Sequence, residues 1–152
     1  MIRALSRTSP EAKEFIKFLR ADLRQHRVHL RFSKTRMVRF SKSLLTAGFF
    51  VEPSERKWGM IRVGCGNRKP INILMNLAHE YAHFLQWKNR DSQWHNSNGD
   101  IFIGSDYVEL EKKTEREALS LLREWNIPAN YGAIRSRSRS YISYLRDTEI
   151  NT

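Results

Sequence analysis

Apolar residues recur at helical spacing early in the chain. Phe15, Phe18, Leu19 and Leu23 follow Ser9-Pro10-Glu11. Ser suits an N-cap, Pro the first helical position and Glu the first turn, so the pattern predicts a helix to about Gln25. The period then shortens. Residues 28–32, VHLRF, alternate apolar and polar, as a half-buried strand does. AGFFV at 47–51 and WGMIRV at 58–63 predict two more strands, with a turn at Pro53-Ser54-Glu55-Arg56 between them and GCGN at 64–67 closing the second. Residues 71–87 are too long an apolar run for an ordinary strand and read as the buried helix of the fold. Residues 88–100, KNRDSQWHNSNGD, read as a polar loop, and Ile101–Ile103 as a short strand. Leu110, Ala118, Leu121, Leu122 and Trp125 predict a helix over 109–125, stopped near Pro128. IRSRSRSYISYLRD leads into a last helix at 135–146. There is no internal repeat. Helix, small antiparallel sheet, buried helix and two further helices make an α+β pattern, and 152 residues suit one domain.

Charge changes this picture in one place. The chain carries a formal +11, and residues 1–42 hold 12 Lys/Arg against Glu11, Glu14 and Asp22, a local net of +9. The other 110 residues are nearly balanced. A basic N-terminal third favours an acidic partner, with nucleic acid first; the plain alternative is a solvated basic face. Candidate phosphate contacts are Arg20, Arg24, Arg27, Arg31, Lys34, Arg36 and Arg39, with Arg20, Arg24 and Arg27 sharing a helix face. Phe18, Phe32 and Phe40 near them are read as core. The single cysteine, Cys65, excludes a disulfide framework and reads as a small residue in a turn. No stretch approaches the ~20 apolar residues of a membrane span, and the N-terminus lacks the apolar core of a secretory signal. The expected setting is cytoplasmic, with no membrane partner.

The chemistry sits in residues 76–87, NLAHEYAHFLQW. On a helix His79 and His83 stand one turn apart on one face and can present two imidazoles to one ion, while Glu80 projects about 100° round, beside it. HExxH thus encodes two metal ligands and a general base, and zinc suits the imidazoles. The alternative is a buried helix with satisfied histidines. Burying three such groups among Ile73, Leu74, Leu77, Tyr81, Phe84 and Leu85 is costly unless something satisfies them, and a metal does. The third ligand has several candidates. Position 89 is Asn, which excludes the metzincin spacing. His95 lies in the loop; Glu111, Glu115 and Glu117 lie on the later helix. Glu115 shares a face with Ala118 and Leu122, and a small residue there lets the two helices approach. Glu115 is therefore the first choice and His95 the alternative ligand. Otherwise His95 stabilises the transition state or is a solvated loop residue. Glu117, about 200° round, is expected to face solvent.

LAHEYAHFL followed by TEREALSLL resembles the ImmA/IrrE-type metallopeptidases, a gluzincin branch of the zincins, over roughly residues 45–125. The resemblance implies a zincin-like fold and a downstream helix carrying a glutamate ligand ahead of an alanine. Leu119 stands where that family usually has Asn or Asp after the alanine, so a hydrogen bond supplied there is missing or replaced. WHNSNGDIF more faintly resembles the SprT-like DNA-associated proteases, whose third ligand is a histidine; Asn96 stands where they have glycine.

These readings converge on zinc-dependent hydrolysis of a peptide bond in a cytosolic protein. Zn²⁺ on His79, His83 and Glu115 ionises a water, Glu80 moves the proton, and WGMIRV serves as the edge strand that holds an extended substrate. The ImmA/IrrE resemblance implies a bacterial or phage-type regulator as substrate, and the basic third would recruit the enzyme to DNA-bound targets. The rival class is a non-enzymatic zincin-fold module that keeps its metal for stability and binds nucleic acid.

Overall fold

The computed structural model describes residues 3–97 and 105–150. After a single 3-10 turn at Arg3–Leu5, helix α1 (Pro10–Gln25) begins as the sequence predicts: Ser9 Oγ accepts from the Ala12 N–H at 3.1 Å, and Pro10 occupies the first turn. Five short strands follow, β1 (Val28–Ser33), β2 (Val38–Ser41), β3 (Leu44–Thr46), β4 (Gly48–Val51) and β5 (Gly59–Gly64). Four α-helices complete the described chain: α2 (Pro70–Lys88), α3 (Ser92–Ser97), α4 (Ser105–Glu124) and α5 (Tyr131–Ile150). The class is α+β.

The sheet departs from the expected antiparallel one. Its order is β1-β5-β4, with β5 parallel to β1 (Val28 opposite Gly59, Ser33 opposite Gly64) and antiparallel to β4 (Gly48 opposite Val63). The 25 residues between β1 and β5 give the chain room to come back and run the same way. They contain the β2–β3 hairpin, a separate two-stranded sheet, as well as β4. WGMIRV is thus the central strand, paired on both sides, and the edge strand beside α2 is β4.

The core lies between the three-stranded sheet and the helices. Phe15, Leu19 and Leu23 of α1 join Val28, Ile61 and Val63 of the sheet and Ile73, Leu77 and Phe84 of α2, all essentially without exposure. Tyr81 donates its hydroxyl to Asp22 at 2.6 Å and ties α2 to α1. Ala118 and Leu122 of α4 are fully buried, and α4 packs along α2. The small, fully buried Ala118 agrees with the close approach of the two helices that its position predicts. Within the expected polar loop, residues 92–97 form α3, and its Trp94 packs on Phe50 and His83. The short strand expected at Ile101–Ile103 lies outside the described residues.

Candidate metal centre

Helix α2 positions the first half of the site. Its His79 and His83 stand one turn apart with ring centroids 4.9 Å from each other. Helix α4 supplies the second half, and the carboxylate it brings to both rings is Glu111. His79 Nε2 lies 2.8 Å from Glu111 Oε2, and His83 Nε2 lies 3.4 Å from Oε1. One ligand atom from each of His79, His83 and Glu111 falls within 4.8 Å of the others, a grouping that could hold a metal ion. Buried Oε2 of Glu111 has a close neighbour in His79 but no hydrogen bond of proper geometry. Such crowding of donor atoms without an aligned proton is what a cation resolves.

The outer nitrogens are held as well. His83 Nδ1 meets Gln86 Oε1 at 2.9 Å, and Gln86 Nε2 donates to Thr114 Oγ1 at 2.9 Å and to Glu117 Oε2 at 3.2 Å. Thr114 in turn donates to the Leu110 carbonyl at 2.7 Å. An amide oxygen can only accept, so Gln86 fixes a proton on Nδ1 of His83, and Nε2, the nitrogen that faces Glu111, is the one left to give up its proton and ligate a cation. Glu115, the carboxylate preferred from sequence, lies on the other side of His79. Its Oε1 is 3.7 Å from Nδ1, and its Oε2 accepts from Ser138 Oγ of α5 at 3.1 Å. The two glutamates share one face of α4, as their spacing requires, and the place between the histidines belongs to Glu111, one turn before the expected Glu115. Glu117 is half-buried on Gln86, so the expectation that it faces solvent is corrected.

Glu80 is buried and opens onto the same cavity as the histidines. Gly48 of β4 makes room for it: a Cβ there would stand 3.1 Å from the Arg62 carbonyl and 3.4 Å from Glu80 Cγ. Burial raises the Glu80 pKa above the ordinary carboxylate value, opposed by His79 and His83 and aided by Glu111 and Glu115. For Glu111 burial acts upward, yet the two histidines outweigh it and hold the carboxyl well below its usual range. Burial acts against a charged His79, and Glu111, Glu115 and Glu80 reverse this and raise its pKa well above the ordinary value. All three carboxylates favour positive charge at this point.

The cavity measures about 740 Å³. Its polar floor is His79, Glu80, His83 and Glu111; its walls are mostly apolar, from β3, β4, α3, α4 and α5, with Phe40, Leu45 and Tyr144 partly exposed at the rim. Two tyrosines that the sequence reading does not single out also line it. The Tyr107 hydroxyl is hydrogen bonded to both Tyr141 and Glu111, and the Tyr141 ring lies 6.3 Å from that of His79. Burial first, then Glu111, raises both phenols above their ordinary value, so they stay protonated donors. Tyr107 stands one helical turn before Glu111, a spacing that could have flagged it. Tyr141 comes from α5, 62 residues after His79, and no local spacing announces it. His95 belongs to α3 by its backbone; its side chain lies outside the described residues.

The basic residues of the N-terminal third separate into two kinds. Arg20, Arg27, Arg36 and Arg39 spend a guanidinium N–H on backbone carbonyls of Leu30, Ser54, Asn67 and Lys42 respectively. Arg24, Arg31 and Lys34 make no such bond among the described residues, and all seven of these cations except Arg20 are exposed. Arg24 and Arg31 stand close enough to Arg20 to join its own burial in lowering its pKa. The shared helix face holds for Arg20 and Arg24 alone. The helix ends before Arg27, which takes a left-handed backbone (φ 61°) and turns toward the β4–β5 loop. Phe18 and Phe40, read as core from sequence, are 48% and 37% exposed. Phe18 rests on Trp125, and Phe40 on Phe49 at the cavity rim. Cys65 is buried beside Val63, where its small side chain fits the turn, and burial pushes its thiol up to about 11. No helix among the described residues is long and apolar enough to cross a membrane.

Comparison of the chain with protein families, with curated proteins and with solved structures finds no match.

Proposed function

We propose that the chain is a zinc metallopeptidase of zincin-like architecture, with His79, His83 and Glu111 as ligands and Glu80 as general base. One observation carries this reading: two imidazole Nε2 atoms and one carboxylate converge on a point beside a second, buried carboxylate, at the floor of a cavity. Two imidazoles and a carboxylate suit zinc among the divalent ions. Zinc bound there supplies Lewis acidity and lets water ionise near neutral pH. Glu80 accepts the proton of the attacking water, and its raised pKa suits it to hand that proton on to the leaving nitrogen. Gln86 and Glu115 keep His79 and His83 oriented. Tyr141 and Tyr107, whose hydroxyls are bonded to each other, lie in the cavity, with Glu111 as a further partner of Tyr107; with substrate bound, Tyr141 turns its O–H to the carbonyl oxygen as that atom gains negative charge.

The substrate is an extended segment of another protein. The apolar walls accept its side chains, and the outer edge of β4, beside Glu80, offers backbone partners for strand addition. Exposed Arg24 and Arg31, both near Arg20, and exposed Lys34 would recruit the enzyme to nucleic-acid-bound targets, with binding that weakens as salt rises. The SprT-like alternative rests on His95 as ligand. The test of the enzyme reading is Glu80→Gln. The variant should keep stoichiometric zinc by elemental analysis and lose hydrolysis of an unfolded protein such as casein. Hydrolysis by zinc-loaded wild type no greater than that of Glu80→Gln and of a metal-free control would sink the enzyme reading and leave a metal-stabilised binding module.

A further inference from the structure

A second cavity of about 720 Å³ opens at the N-terminal ends of α2 and α5. That of α2 is nine residues, about 13 Å of helix, before His79. Four cations line it: Arg36, Arg68, Lys69 and Arg137, with Asn67, Asn72 and Asn130 between them and no carboxylate. Among the described residues, none of these cations has a salt-bridge partner. Like charges brought together without acids cost energy unless an anion compensates them. The expense is visible at Arg68, whose pKa is lowered by burial and then by the charges of Arg36 and Arg137.

The cluster is also built rigidly. Arg36 donates to the Asn67 carbonyl at 2.9 Å, and Arg68 returns two bonds to the Arg36 carbonyl at 3.2 and 3.1 Å. The two segments approach so closely that a Cβ at Gly64 would lie 2.2 Å from the Arg36 carbonyl oxygen. Only glycine permits this pairing of the Lys34–Arg36 turn with the loop before α2. Lys69, at the N-cap of helix α2, makes no side-chain cap bond, and the first turn of α2 faces the cavity, so one uncapped positive helix end adds to the cations. The start of α5 is already capped by Asn130 Oδ1, which accepts from the Ala133 N–H at 3.1 Å.

We propose that this cavity binds a phosphate-bearing ligand carrying two or more negative charges, held by Arg36, Arg68, Lys69 and Arg137. The Arg137 guanidinium has its full fork for bidentate pairing with phosphate oxygens, Arg36 and Arg68 keep the N–H groups not spent on backbone carbonyls, and the volume leaves room for the molecule that carries the phosphate. The same chemistry is offered by a small phosphorylated molecule and by a nucleic-acid backbone. The site is independent of the peptidase reading, since it shares no residue with the metal centre.

Calorimetric titration of the full chain with inorganic pyrophosphate, at ionic strength fixed with sodium chloride, tests it. Saturable binding is expected. Arg137→Ala should weaken it about tenfold; this exposed side chain makes no hydrogen bond to the rest of the described protein, so the variant should fold. Lys69→Ala should weaken it too, and Arg56→Ala, in the β4–β5 turn, should not. Competition by a short DNA duplex would assign the phosphate to a nucleic-acid backbone. Retained pyrophosphate binding without competition would assign it to a small molecule. Absence of saturable binding, or undiminished affinity in both Arg137→Ala and Lys69→Ala, would overturn the proposal.

Discussion

Replacing Gln86 by Leu separates a metal-orienting role from a merely structural one. Gln86 is 3% exposed and does not touch the proposed ion; it accepts from His83 Nδ1 and donates to Thr114 and Glu117. Leucine keeps nearly the same volume, so the helix packing should survive. Without the Oε1 acceptor, His83 loses the bond that fixes its tautomer and ring plane. Loss of such an outer partner typically costs ~10–100-fold in metal affinity, or about 1.4–2.8 kcal/mol. The metal-free protein pays separately: buried His83 Nδ1 is left without its acceptor, at about 1–3 kcal/mol. Thr114 keeps its bond to the Leu110 carbonyl and adds little to that cost. Two measurements resolve the terms, a zinc titration against a competing chelator and denaturant unfolding of the metal-free protein. The expected result is loss in both. Unfolding affected with zinc affinity unchanged would refute the claim that Gln86 orients a ligand, and with it the assignment of His83 Nε2 to the ion.

Other predictions follow from the same geometry. Tyr81→Phe removes the 2.6 Å bond to Asp22 that joins α2 to α1. A bond to a charged acceptor contributes about 1.5–3 kcal/mol, so the melting temperature should fall by several degrees; a change below one degree would show that water replaces Asp22 without cost. Cys65, with its thiol pushed up to about 11, should be only about one part in a thousand thiolate at pH 8. Alkylation should therefore be slow in the folded protein and fast in denaturant, and rapid native labelling would contradict the burial. Tyr141→Phe should lower the turnover of hydrolysis with zinc content unchanged; equal turnover would remove Tyr141 from the transition state.

Helices and site were legible from sequence to different depths. Periodicity located α1 and α2 to within a residue or so, because a Pro at the first turn and a continuous apolar face mark each of them. The β2–β3 hairpin was not legible. Its strands are four and three residues long, are interrupted by Lys42 and Ser43, and leave Arg39, Phe40 and Leu45 exposed, so no clean alternation reaches the sequence. Strand order was equally hidden. WGMIRV looks like any half-buried strand, and only the long-range pairing with Val28–Ser33 makes it central. At the site, the i, i+4 rule identifies His79 and His83 and places Glu111 and Glu115 on one face of α4. Which of the two glutamates meets both histidines depends on how far α4 slides along α2, a tertiary quantity that side-chain periodicity does not encode. Tyr141 is a clearer case, since its place beside His79 depends on how α5 docks.

The central claim is that His79, His83 and Glu111 hold the zinc, with Glu115 outside it. Elemental zinc content of wild type, Glu111→Ala, Glu115→Ala and His95→Ala, purified alike and dialysed against a weak chelator, tests this most directly. The account predicts one zinc per chain in wild type and His95→Ala, reduced retention in Glu115→Ala, and background in Glu111→Ala. Stoichiometric zinc in Glu111→Ala, or its loss from His95→Ala, would contradict it.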